Sequence, residues 1–499
     1  MSAAEDLADD LAGRRTQRAR RAGLLEMFIG GRWTSSGEQV DVRSPYDGRV
    51  VGRVPLAGSS DVERAIASAV RGTAVMRDLP AHERSAILKR TGERLMERLD
   101  AIADLLSREV GKTIREARAE VQRSAGLFSW AAEEAKRLSG ETIPFDAAPG
   151  AEDRIGFFLR VPVGVVAAIT PFNVPLALAA HKLAPALAAG NSVLFKPTTA
   201  TPLADLELVR ALVDAGLPPD AINAVTGRGS TVGDAIVSAP QVRMITFTGS
   251  REVGRSLTSR AGFKKLTMEL GGNAPCVVRP SADVSRAAGA IVRGGYAIAG
   301  QNCISVQRVL AHSAVYAPLI DEVADRVKKL RSGDPLDEAT DMGPVINGAE
   351  AERIEEWIQE AVGKGARLVT GGHREGTLVE PTVLADVPLD CRVSTEELFG
   401  PVVAFYRVDD LEEIVRIANG VDYGLQSGIF TQDVDEAFWL ARRLDAGGVW
   451  INDVSTFRVD FMPYGGMKGS GYGREGVRFA MEEMTEIKVI AWRLRAPQM

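Results

Sequence analysis

From about residue 160 onward, short apolar runs alternate with helical stretches, and no other feature of the chain narrows its fold as far. The runs occupy 163–169, 193–196, 242–247 and 266–270. Strands separated by helices are joined by crossover connections, which lay them side by side in a parallel sheet. A second alternation of the same kind runs from 274 to about 440. The fold class is therefore α/β. At 499 residues the chain exceeds what one core accommodates, so two or three domains are expected. Before 160 the pattern differs. Residues 27–53 alternate apolar positions with Gly-rich turns, as a small β-meander would. Ser60 and Glu63 have the spacing of a capping box, and an apolar stripe follows through Val62, Ala65, Ile66, Ala69 and Val70. Long amphipathic helices are predicted over 81–110 and 113–137. Residues 485–494 read as a strand after a helix, with no hairpin nearby to pair with it. Such a strand is expected to complete a sheet elsewhere, in another subunit.

The composition excludes several function classes. A net charge of −6 gives no polyanion-binding surface, so nucleic acid is not an expected partner. Three cysteines, Cys276, Cys303 and Cys391, make no disulfide framework and suit a reducing compartment. The four histidines lack metal-ligand spacing, so no metal site is expected. No apolar run is long enough to span a bilayer. Residues 1–25 read as a flexible leader in which Glu5, Asp6, Asp9 and Asp10 precede an Arg-rich stretch. No apolar segment follows to make a targeting signal, and cytoplasmic residence is expected by default.

Two residues carry the strongest chemical signal. Cys303 lies in Gly-Gln-Asn-Cys, and Glu269 in Met-Glu-Leu-Gly-Gly. A thiol attacks once ionised and a carboxylate can activate water, so the pair outlines covalent catalysis in two halves. A free Cys is more often a small buried hydrophobe. Asn173, in a Pro-rich turn after the first apolar run, could contribute an amide to an oxyanion hole, or merely bond its own turn. Gly249 and Ser250 end a strand before a helix, where backbone N–H groups can approach a pyrophosphate, although the full dinucleotide fingerprint is absent. Lys196 ends another strand and can reach ribose hydroxyls or simply face solvent.

Seven segments occur in one order: ITPFN at 169–173, HKLAPALAAGNSVLFKP at 181–197, FTGS at 247–250, ELGG at 269–272, GQNC at 300–303, EELFGPV at 396–402 and PYGGMKGSG at 463–471. Together they resemble the NAD(P)-dependent aldehyde dehydrogenase superfamily, from about residue 27 to the C-terminus. The resemblance implies a Rossmann-like cofactor domain at 26–139 and 163–270 and an α/β catalytic domain at 271–470. It also implies a small β oligomerisation domain at 140–162 and 484–499, in a homodimer or homotetramer. Cys303 then corresponds to the nucleophile, Asn173 to the oxyanion donor and Glu269 to the base for thioester hydrolysis. Lys182 and Glu475 match a pair given a proton-relay role. The cofactor, NAD or NADP, would be held by Thr170, Pro171, Phe172, Lys196, Thr199, Gly249, Ser250, Leu270, Glu397 and Phe399.

Departures from the family pattern bear on specificity. Thr199 stands where many NAD-preferring relatives have a Glu that repels a 2′-phosphate, so use of NADP is expected to be open. Arg123, His181, Asn302 and Arg458 occupy positions that border the aldehyde. Two guanidiniums converging on one pocket would hold an oxyanion, which implies a small anionic aldehyde, phosphonate or phosphate ahead of carboxylate or sulfonate. The resemblance is nearest the branch of lactaldehyde, non-phosphorylating glyceraldehyde-3-phosphate and phosphonoacetaldehyde dehydrogenases, although Asn302 replaces an arginine some anion users carry. The opposing readings are that the arginines pair with acidic neighbours such as Glu120 or face solvent, that the substrate is a neutral aliphatic or hydroxy-aldehyde, that coenzyme A accepts the acyl group, or that the chain is a silent structural relative. Retention of Cys303, Asn173 and Glu269 argues against silence, and Glu269 argues against coenzyme A.

Overall fold

The structure, a computed structural model, describes residues 25–35 and 37–495. The leader expected at 1–25 lies outside them, Leu25 apart. The alternation from 160 builds a parallel sheet core: β9 (Ile222–Ala224), β8 (Ser192–Lys196), β7 (Val165–Ile169), β10 (Val242–Thr248) and β11 (Lys265–Glu269), adjacent in that order. β7, β8 and β9 are wholly buried, as strands with helices on both faces must be. Antiparallel strands close the edges, with β1 (Met27–Ile29) and β2 (Arg32–Thr34) on one side and β21 (Gly471–Tyr472) on the other. The expected α/β class is observed.

The second alternation forms a seven-stranded sheet. Its order is β14 (Arg367–Thr370), β17 (Thr382–Ala385), β18 (Val402–Arg407), β13 (Val306–Ala311), β12 (Ala274–Val278), β19 (Gln426–Phe430) and β20 (Gly448–Ile451). Only β14 runs antiparallel to its neighbour. Each large sheet has its own apolar core, Val309, Ile291 and Phe405 lying in one and Phe195, Leu183 and Phe128 in the other. A short hairpin of β15 (Arg374–Glu375) and β16 (Leu378–Val379) lies outside both sheets.

Four local expectations change. Residues 27–53 do not form one meander. β1 and β2 join the first sheet through the Phe28–Ala224 pairing, while β3 (Gln39–Arg43) and β4 (Val50–Pro55) make a separate hairpin. The first long helix begins at Ser59 after Gly58, so Asp61 and not Glu63 takes the cap N–H, at 3.0 Å from Gly58. Residues 81–110 break at Arg98 into the helices Ala81–Glu97 and Leu99–Val110. The strand β22 (Thr485–Arg493) has a partner within its own chain. It pairs antiparallel with β6 (Arg154–Pro162), which also holds β5 (Glu141–Ile143). That partner lies more than three hundred residues away in sequence, too far for local pattern to reveal. No helix among the described residues is long and apolar enough to cross a membrane.

Candidate active site

A parallel sheet delivers its loops to the carboxyl ends of its strands, and ligands collect there. β7 ends at Ile169 and is followed by Thr170-Pro-Phe-Asn173. β8 ends on Lys196, β10 leads to Gly249 and Ser250, and β11 ends on Glu269. In the second sheet the site residues precede strands: Asn302 and Cys303 come just before β13, Glu397 and Phe399 just before β18. Hydrogen bonds join the two sets. Asn173 Nδ2 donates to the Gln301 carbonyl at 2.8 Å, and Gly272 N–H donates to Glu397 Oε1 at 2.9 Å. The rings of Phe172 and Phe399 meet edge to face at 5.8 Å.

The segment carrying the cysteine is strained. Ile298 and Ala299 adopt left-handed backbone conformations, with φ of 53° and 52°. Each costs a non-glycine residue about 1–2 kcal/mol. Glu116 offsets part of that by accepting the Ile298 N–H at 2.8 Å. Gly300 follows at φ +69°, where a Cβ would lie 2.0 Å from the Gly400 carbonyl oxygen, so no other residue fits. This kink turns Cys303 into the cleft between the sheets, partly buried. Its sulfur lies 3.4 Å from Tyr464 Oη and 3.8 Å from Asn302 Oδ1. Its apolar surroundings push the thiol up to about 12, and the Tyr464 hydrogen bond pulls the other way.

Glu269 is 3% exposed, and neither carboxylate oxygen has a hydrogen-bond partner among the described residues. Burial, with Glu475 nearby, raises it well above the usual carboxylate range, and Lys182 and Arg458 oppose that. A bare buried carboxyl is costly unless neutral or matched by a ligand or water. Glu475 is its contrast. Lys182 Nζ donates to it at 2.9 Å and Arg458 at 3.0 Å, and these cations overcome burial and hold it well below the usual range.

All three basic candidates at the aldehyde position come together. Arg458 contacts His181 Nδ1 at 3.2 Å, and His181 Nε2 lies 3.1 Å from Asp460. Arg123 pairs with the same Asp460 at 2.7 Å. The opposing reading that the arginines pair with acidic neighbours is what the structure shows, with Asp460 and Glu475 as the partners in place of Glu120, which faces Lys112 and the Ala177 N–H in the interior. Burial and Arg458 depress His181 to about 4, so it is neutral at physiological pH and its Nε2–H donates to Asp460. Despite its pairings, Arg458 keeps a buried Nε–H with no acceptor among the described residues. Asp460 and Tyr464 were not singled out from sequence. Asp460 sits two residues beyond Arg458, and Tyr464 lies inside the PYGG motif, but nothing local indicated what each would touch.

Among the described residues, Lys196 Nζ donates only to the Pro197 carbonyl at 3.2 Å, and burial alone lowers it to about 8. A buried ammonium with no anionic neighbour suits a ligand bearing hydroxyls or phosphate. Ser250 caps the helix Arg251–Arg260, its Oγ accepting the Val253 N–H. Gly254 lets this helix lie against Leu270, where a Cβ would come within 2.5 Å of Leu270 Cδ2. Thr199 donates to the Gly227 carbonyl at 2.9 Å. Beneath the loop, Thr170 Oγ1 bonds Asp205 at 3.3 Å. Burial and nearby Glu109 raise Asp205 well above the carboxylate range. Glu397 is raised likewise, to about 8, by burial.

Comparison with known proteins agrees with this arrangement. The aldehyde dehydrogenase family model matches residues 33–490, and the chain belongs to that family. It is an NAD(P)-dependent oxidoreductase acting on aldehydes, with NAD or NADP as cofactor. It is 44% identical over 468 residues to 3-sulfolactaldehyde dehydrogenase of Priestia megaterium, covering 94% of this chain and 98% of that one. Identity to lactaldehyde dehydrogenase of Methanocaldococcus jannaschii is 42% over 468 residues, covering 93% and 99%. Among solved structures, the NADP-dependent glyceraldehyde-3-phosphate dehydrogenase of Bacillus halodurans C-125, complexed with NADP, superposes with a TM-score of 0.93. Its identity is 38%, covering 94% of this chain and 99% of that one.

Proposed function

We propose that this enzyme oxidises a short aldehyde bearing a sulfonate, phosphate or phosphonate to the carboxylate. The observation that carries the reading is Arg458, 7% exposed on its side chain, anchored by Glu475, yet with Nε–H free. Arg458 lies on the ring of Tyr464, 3.7 Å from its centroid, and Tyr464 reaches Cys303. A guanidinium donor this close to the reactive sulfur is where the tail of a three-carbon aldehyde would lie. Arg123, Arg458 and Lys182 outnumber Asp460 and Glu475. Glu269 aside, these groups leave one surplus positive charge while His181 is neutral. The relative named for 3-sulfolactaldehyde puts sulfonate beside the phosphonate and phosphate that the motifs suggested. The relative named for lactaldehyde supports a second, neutral reading, since lactaldehyde lacks only the anionic group.

In this reading Cys303 attacks the aldehyde carbon, and the second N–H of Asn173 receives the carbonyl oxygen as it gains charge. The bound cofactor supplies the hydride acceptor. Lys196 and the Ser250 helix end would hold its adenosine half, with Thr170, Pro171 and Phe172 lining the loop beside it and Leu270 backing the pyrophosphate turn. Glu397 and Phe399 would hold the nicotinamide half. Glu269, with no hydrogen-bond partner among the described residues to tether it, takes a proton from the water that hydrolyses the thioester, and Lys182–Glu475 lies next to it to pass that proton on. The carboxyl must be ionised to do so, and the nearby Lys182 and Arg458 favour that form.

The 26–139 and 163–270, 271–470, and 140–162 with 484–499 divisions are proposed as cofactor, catalytic and oligomerisation domains. On β22, Ile487 and Val489 are 58% and 56% exposed on one face and Trp492 is 74% exposed on the other, apolar surface suited to burial against a second copy. The substrate reading is tested by Arg458→Leu. KM for 3-sulfolactaldehyde should rise about tenfold or more while that for lactaldehyde changes little. An equal rise for both would reject it.

A further inference from the structure

Tyr464 lies inside the PYGG motif without a role assigned to it, yet its hydroxyl reaches the Cys303 sulfur at 3.4 Å. It is 3% exposed and packs with Ile304 and Leu425 beside Met462 and Cys303. Its main chain is locked to Glu475 by two hydrogen bonds, Tyr464 N–H to Glu475 O at 3.1 Å and the reverse at 2.7 Å. The same Glu475 anchors Arg458 at 3.0 Å, and Arg458 covers the face of the ring. Ring, cation and sulfur are thus held by one carboxylate-bearing residue. A cation over a phenol draws electron density from the ring and strengthens its O–H as a donor. Burial keeps Tyr464 a neutral phenol. It can therefore donate, whereas a thiolate can only accept, and a hydrogen bond to an ionised partner is the stronger one.

We propose that Tyr464 is a catalytic residue of the acylation half-reaction, its hydroxyl donating a hydrogen bond to Cys303 Sγ and so favouring the thiolate that attacks. This rests on the reading of Cys303 as the nucleophile. The thiol proton leaves to solvent water. The thiolate pair then forms the C–S bond while the carbonyl π pair moves onto oxygen. Tyr464 keeps its proton throughout, and its bond to sulfur weakens as the sulfur loses charge. A residue needed only to fill space would do as well as phenylalanine.

The test is the pH dependence of Cys303 alkylation by iodoacetamide in the full-length enzyme, where Cys276 and Cys391 are buried. Tyr464→Phe should displace the profile upward by about one pH unit. At a fixed neutral pH the rate should fall by only about fourfold, because a more basic thiolate is also more nucleophilic. 3-Fluorotyrosine at the same position, a more acidic donor, should displace the profile downward and so separates the hydroxyl from packing. Ultraviolet absorbance of the thiolate, with Cys303→Ala as blank, should shift in the same direction. Coincident profiles for wild type and Tyr464→Phe would overturn the proposal. Wild-type turnover by Cys303→Ala would overturn the nucleophile assignment itself, and the proposal with it.

Discussion

On one side of Cys303 the polar groups are isolated, and on the other they are crowded. Among the described residues, Lys196 has a single carbonyl partner and no carboxylate nearby, and Glu397 is answered by one backbone N–H. Across the cleft, Arg123, Arg458 and Lys182 each face a carboxylate, and His181 bridges Arg458 to Asp460. The difference fits the two ligands proposed. A dinucleotide brings its own hydroxyls and phosphates and completes isolated donors. A small aldehyde brings one charged group at most, so its pocket must be nearly neutral beforehand and hold only a modest surplus of charge. Glu269, with Glu475, Lys182 and Arg458 as charged neighbours, has no hydrogen-bond partner among the described residues and is left to serve the reacting group.

The largest effects are expected where both sides depend on the same atom. Cys303→Ala should remove aldehyde oxidation entirely. Glu269→Gln should give a single burst of reduced cofactor with no steady-state rate, since it acts after hydride transfer. Stopped-flow absorbance separates the two, and steady turnover in either variant contradicts the covalent scheme. Next in size is Asn173→Ala, which should slow the burst by roughly 10²–10³-fold, as for other lost oxyanion donors. A burst rate unchanged in that variant would return Asn173 to a turn residue bonding Gln301.

Asp460→Asn sharpens the comparison on the crowded side. The amide still accepts from Arg123 and His181 but no longer neutralises Arg123. kcat/KM for 3-sulfolactaldehyde should rise about threefold, the scale of one partly exposed charge pair, and lactaldehyde should be unaffected. A fall for both aldehydes would mean that Asp460 chiefly positions its neighbours. The isolated side should respond to pH. Burial depresses Lys196 to about 8, so it is charged below that value and loses its charge as pH rises through it. NADP affinity should therefore weaken above pH 8, and Lys196→Met should remove that dependence in a fluorescence titration. Thr199→Glu should shift the NADP-to-NAD ratio of kcat/KM by about tenfold toward NAD. An unmoved ratio would place the cofactor determinant elsewhere.

Sequence revealed most where chemistry and local pattern coincide. The four apolar runs became β7, β8, β10 and β11, because period and length suffice to mark buried strands. Cys303, Glu269 and Asn173 were legible because they sit in motifs whose order is specific, and their strands bring them to one cleft. The partner of β22 was not legible, because its pairing with β6 spans the chain. Nor was Asp460, whose importance lies in touching Arg123 and His181 from far away in sequence. The cap of the first helix was misplaced by two residues because Asp61 competes with Glu63 for the same role, and Gly58 supplies the turn. Ion pairs are properties of the folded surface, so the charge state of the aldehyde pocket could only be read once the fold was known.

The measurement that bears most directly on the account compares kcat/KM for 3-sulfolactaldehyde and lactaldehyde with the wild-type enzyme, in the same buffer and at saturating cofactor. The two substrates differ only by the sulfonate, so their ratio isolates the surplus charge around Arg458. A ratio of about ten or more in favour of the sulfonate is predicted, the scale of one charge-assisted hydrogen bond. Equal values, or faster use of lactaldehyde, would contradict it.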